Sequence, residues 1–80
     1  MSAARVLIIE DEMLVAMSIE DTLSDAGFSV AGITAKVSDA LVLLERSNGI
    51  DAAVMDLNLA GEATGPVADR LKELVSLFWW

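Results

Sequence analysis

The sequence contains no cysteine and no histidine. A disulfide framework and a thiolate or imidazole metal site are therefore excluded. Any metal must be held by oxygen, which favours Mg2+, with Mn2+ or Ca2+ as alternatives. Basic residues are few: five, against thirteen acids, for a net charge of −8. Arg5, Lys36, Arg46, Arg70 and Lys72 are scattered along the chain. A nucleic-acid surface needs clustered Lys or Arg, so none is expected. No apolar run approaches the ~20 residues of a membrane span, so no membrane partner is expected. The N-terminal apolar stretch is too short, and too soon followed by acids, for a secretory signal. These features predict a cytoplasmic protein. No repeat, linker or low-complexity segment interrupts the chain. At 80 residues, 55% of them hydrophobic, it makes one domain with a modest core.

What is present is a pattern of short apolar runs alternating with helical periodicity. Val6–Glu10 (V-L-I-I-E) is rich in branched residues and predicts a buried strand. From Met13 to Ala26, apolar Val15, Ile19, Leu23 and Ala26 recur at helical spacing. Gly27 is a natural helix stop. Ser29–Gly32 predicts a short second strand at an edge. A second helix then carries Ala40, Leu41 and Leu44 and ends near Ser47. Its N-cap is Ser38 or Thr34, and Asn48-Gly49 punctuates its end. Asp51–Asp56 predicts a third strand, built on the unbroken run Ala52–Met55. A loop with two glycines follows, and Pro66 fits the first turn of a third helix. Val67, Leu71, Leu74 and Phe78 fall on one face of that helix. With no Gly or Pro between Leu74 and Trp80, the helix is expected to run on. The alternation predicts an α/β fold with a parallel sheet.

The acids at the ends of the apolar runs carry the chemistry. Glu10 and Asp11 close the first strand, and Asp56 closes the third. Taken singly, each has an ordinary explanation. Acids after a strand suit the N-terminus of the next helix, and an Asp after a strand forms turns. Taken together on parallel neighbours, they meet at the carboxyl edge of the sheet, where ligands bind in open α/β folds. Crowded carboxylates raise one another's pKa unless a cation neutralises them, and Mg2+ is the simplest such cation. The backbone carbonyl of Asn58 could turn towards the same point. Asp56 is the better nucleophile, because a carboxylate can accept a phosphoryl group. Glu10 and Asp11 would then hold the metal. No Gly-rich turn follows the first strand, which argues against a nucleotide-binding fold.

V-L-I-I-E-D-E at 6–12 and A-V-M-D-L-N-L at 53–59 together resemble a response-regulator receiver domain. G-P-V-A-D at 65–69 and A-L-V-L-L at 40–44 add to the resemblance, which covers roughly residues 4–74. It implies a flavodoxin-like, chemotaxis-receiver-like fold with strand order 2-1-3 in its first three strand–helix units (βαβαβα). It also implies a phosphorelay module rather than an enzyme. Asp56 would be the phosphoacceptor, with the metal on Glu10, Asp11, Asp56 and the Asn58 carbonyl. The donor would be a sensor histidine kinase or a phosphotransfer protein. D-L-N at 56–58 also resembles the D-x-D of haloacid-dehalogenase-type phosphatases, but there the motif follows the first strand.

A complete receiver continues with strands four and five, which carry a Thr or Ser and a Lys. The resemblance therefore implies a C-terminally truncated receiver lacking both strands, with a non-family aromatic tail at 75–80. Phosphorylation on Asp56 would be retained and switching impaired. The alternative is a receiver that is not phosphorylated and serves only for dimerisation or interaction. On this reading the third strand becomes an open edge. A homodimer, intertwined or not, is expected, with Val54, Leu71, Leu74, Phe78, Trp79 and Trp80 as contacts.

Overall fold

The computed structural model describes residues 3–47, 49–56 and 65–79. The elements run β1 (Arg5–Ile9), α1 (Met13–Asp25), β2 (Ser29–Thr34), α2 (Val37–Arg46), β3 (Ala52–Met55), α3 (Gly65–Leu74) and β4 (Ser76–Trp79). They form one parallel sheet in the order β2-β1-β3-β4. The expected 2-1-3 order holds, and a fourth strand extends it.

The first turn-back is set by local chemistry. Gly27 has a φ of +93°, a left-handed conformation that a side chain would strain. Its N–H donates to the Ser24 carbonyl (3.1 Å), and the Phe28 N–H donates to the Leu23 carbonyl (2.9 Å). That pair of bonds is a Schellman motif, which ends α1 and aims the chain into β2. β2 is an edge strand, as expected, but runs two residues further, to Thr34. It carries a bulge at Ala31: Val6 pairs with Val30 and Leu7 with Gly32.

α2 starts one residue before Ser38. Lys36 is its N-cap and Ser38 lies inside the first turn, while Thr34 belongs to β2. Neither expected cap is used. Val37 is fully buried in the core, so the helix must begin early enough to turn that side chain inward. β3 is pinned to β1 at its start, where the Asp51 N–H donates to the Arg5 carbonyl and the Arg5 N–H donates to Asp51 Oδ2, both at 2.8 Å.

The expected long third helix is corrected. α3 ends at Leu74, and the Val75 N–H closes its last turn on the Leu71 carbonyl (3.0 Å). The next N–H, from Ser76, points to the Asp51 carbonyl at the head of β3 (3.4 Å). Ser76–Trp79 then pairs in register with Ala52–Met55. Two forces favour this outcome. Continuing the helix would leave the ladder groups of β3 unpaired at an edge. Large aromatic residues also suit a pleated strand. β3 is therefore central and β4 is the edge.

α2 and α3 cover one face of the sheet. Leu7, Ile9, Ala53 and Met55 meet Val37, Ala40, Leu44, Leu71 and Val75 there in a closed core. α1 covers part of the opposite face, packing chiefly on β1 and β2. No described helix is long and apolar enough to cross a membrane.

Candidate metal centre

The sheet register brings the acids together. Ile9 pairs with Met55 across neighbouring parallel strands. The next residues, Glu10 and Asp56, therefore leave the carboxyl edge at the same level. Carboxylate oxygens of Glu10, Asp11 and Asp56 all lie within 4.8 Å of one another. Glu10 is buried (2% exposed), Asp56 is half-buried and Asp11 is exposed. The three sequence-predicted side chains thus converge. Asn58, the fourth expected donor, lies outside the described residues.

Glu10 is the anchor. Its Oε1 accepts the Glu12 N–H at 2.9 Å, which fixes the turn between β1 and α1. Among the described residues, its Oε2 is buried without a hydrogen-bond partner. Burial pushes the Glu10 carboxyl above its ordinary value; the Glu12 amide opposes this, and contact with Asp56 and Asp11 adds to it. A buried carboxylate oxygen with no donor costs about 1–3 kcal/mol. A hard cation would remove that cost while screening three like charges. The donor set, all oxygen with one buried orphan atom, fits Mg2+.

Reasoning from sequence missed two features of this edge. The Glu12 amide orients Glu10, and nothing in the residue type of Glu12 announces it. Thr34 Oγ1 is, like Glu10 Oε2, buried without a partner among the described residues. The Thr34 carbonyl accepts the Glu10 N–H at 2.8 Å, so the hydroxyl belongs to the same sheet edge. Its place at the end of a parallel strand was the available signal.

The expected contacts with a second copy are divided by the fold. Leu71 is fully buried in the chain's own core and has no surface to offer. Leu74 is half-buried against that core. Val54 is half-buried and Phe78 is 58% exposed. Trp79 lies on β4, and Trp80 lies outside the described residues.

No family model and no curated protein matches the chain. Solved structures do. The BeF3-activated conformation of SdrG from Pseudomonas melonis Fr1 is 39% identical with a TM-score of 0.80, over 99% of this chain and 69% of that one. The anti-anti-sigma factor PhyR from Bartonella quintana is 30% identical with a TM-score of 0.75, over 99% of this chain and 33% of that one. The response regulator PhyR from Brucella abortus is 30% identical with a TM-score of 0.73, over 96% of this chain and 32% of that one.

Proposed function

The chain belongs to the response-regulator receiver family, and from that premise we propose that it is a phosphoacceptor module of a two-component relay. The observation that carries this reading is the convergence of Glu10, Asp11 and Asp56 within 4.8 Å at the carboxyl edge of the sheet. Glu10, Asp11 and Asp56 would hold Mg2+, joined by the Asn58 carbonyl. Bound there, the ion would supply screening of negative charge around an incoming phosphoryl group. An Asp56 carboxylate oxygen would attack phosphorus, forming an acyl phosphate as the phosphorus–nitrogen bond of a donor phosphohistidine breaks. Sensor histidine kinases and phosphotransfer proteins supply such a donor.

Within these 80 residues we infer weak coupling of phosphorylation to shape. Ser76 is the hydroxyl residue of β4, but its register partner is Ala52. That places it at the start of the strand, away from the edge where Asp56 follows Met55. A second reading, an interaction module that is not phosphorylated, rests on that placement. Its partners would include a second copy meeting along the β4 edge.

Incubation with acetyl phosphate and Mg2+ separates the two. The first reading expects the mass gain of one phosphoryl group, lost in Asp56→Asn and on chelation. No gain, under conditions that label a complete receiver, would overturn it and leave the interaction module. Sedimentation of the same samples reads self-association.

A further inference from the structure

A cleft lies at the amino ends of β3 and β4, the end of the sheet away from the acid cluster. Its volume of about 520 Å³ falls within the range of small-molecule sites. Its walls are the C-terminal turns of α2 and α3, joined by the turn into β3. No described residue of β4 lines it. Leu44 and Val75, both buried, and the half-buried Ile50 and Leu74 give it an apolar floor.

The rim is charged in both signs. The Arg70 Nε–H donates across from α3 to Glu45 Oε1 on α2, at 3.1 Å. An Nη1–H of the same guanidinium donates to Glu73 Oε2, also at 3.1 Å. The Arg70 and Glu45 side chains remain 45% and 47% exposed, so both can still meet a ligand. The N–H groups on Arg70 Nη2 have no partner among the described residues, and they suit a carboxylate. The Arg5 guanidinium, beside Gly49 on the same cleft, adds positive charge. Glu45 lies one residue before the end of α2 at Arg46. A carboxylate beside the negative pole of a helix attracts an ammonium.

Simpler ligands fail on this rim. A plain anion meets Glu45 and Glu73 on a chain of net charge −8. A plain amine meets the Arg70 cation, which already holds both acids. An uncharged apolar molecule would strip water from the charged rim and give it no new partner. A zwitterion with an apolar body meets all three conditions.

We propose that this cleft binds a free α-amino acid with an aliphatic side chain. Its carboxylate takes the N–H groups of Arg70 Nη2, its ammonium takes Glu45, and its side chain rests on the floor around Ile50 and Leu74. The site stands apart from the acid cluster and does not depend on phosphorylation.

The test is a titration of the isotope-labelled 80-residue protein with L-leucine. The readouts are the Arg70 side-chain Nε–H resonance and the Gly49 and Ile50 amides. Because the rim is exposed, weak but saturable binding is expected, with a Kd on the order of 1 mM. Glycine lacks the side chain, 4-methylpentanoate the ammonium and 3-methylbutylamine the carboxylate. Each should bind at least about tenfold more weakly than leucine. Arg70→Gln and Glu45→Gln should each weaken leucine about tenfold. Should loss of the ion pair disturb the helices, Ile50→Thr trims the floor and leaves the pair in place. It should weaken leucine severalfold. No saturable shift up to the solubility of leucine would refute the proposal. So would equal binding of any of the three truncated analogues, or unaltered affinity in the variants.

Discussion

Glu10 joins two demands that conflict in the absence of a cation. Its backbone must complete the β1 edge, and its side chain must stay buried beside Asp56. Its raised pKa means that the folded protein holds a proton there more tightly than the unfolded chain. The metal-free fold therefore gains stability below the ordinary carboxylate value, and loses that gain as pH rises through the raised value. Glu10→Gln keeps an oxygen for the Glu12 N–H and places a donor where Oε2 is orphaned. In chelator at neutral pH it should unfold at higher urea concentration, by about 1 kcal/mol, with a flatter pH profile. Urea melts from acidic to neutral pH check this; a less stable variant would contradict it. The identity of the three acids was legible in the sequence, because each follows an apolar run. The depth of Glu10 was not, because burial depends on β2 and β3 flanking β1.

At the scale of elements, punctuation decided what could be read. Gly27 ends α1 through a left-handed backbone, and the sequence marked it. No atom lies within 4 Å of where a Cβ would stand at Gly27, so Gly27→Ala tests backbone strain with no steric clash. It should destabilise the fold by about 1 kcal/mol, seen as a lower urea midpoint with an unchanged slope. An unchanged midpoint would mean that the turn relaxes without cost. The passage from α3 to β4 had no such mark. Leu74-Val75-Ser76-Leu77 reads as an uninterrupted helix, and only the pairing demand of β3, a long-range effect, turns it into a strand. The same reason explains Ser38. Helical spacing located α2, but the burial of Val37 fixed where it begins.

The whole molecule carries a net charge of −8, with its three converging carboxylates at one sheet edge and more acids along α1. Repulsion of that kind weakens the compact state, and any salt relieves it by screening. A cation held by Glu10, Asp11 and Asp56 does something different. It binds the folded form selectively and stabilises by mass action, about 2.7 kcal/mol at a hundredfold excess over the dissociation constant. The two effects separate when MgCl2 is compared with NaCl at matched ionic strength. Wild type should melt several degrees higher in MgCl2. Asp11→Asn and Asp56→Asn should each lose most of that excess while keeping the rise common to both salts. Equal melting temperatures for the wild type in the two salts would reduce the cluster to a patch of screened charge. Composition alone does not disclose this contrast: it requires β1 and β3 to be parallel neighbours in register, so that Glu10 and Asp56 leave the sheet at one level.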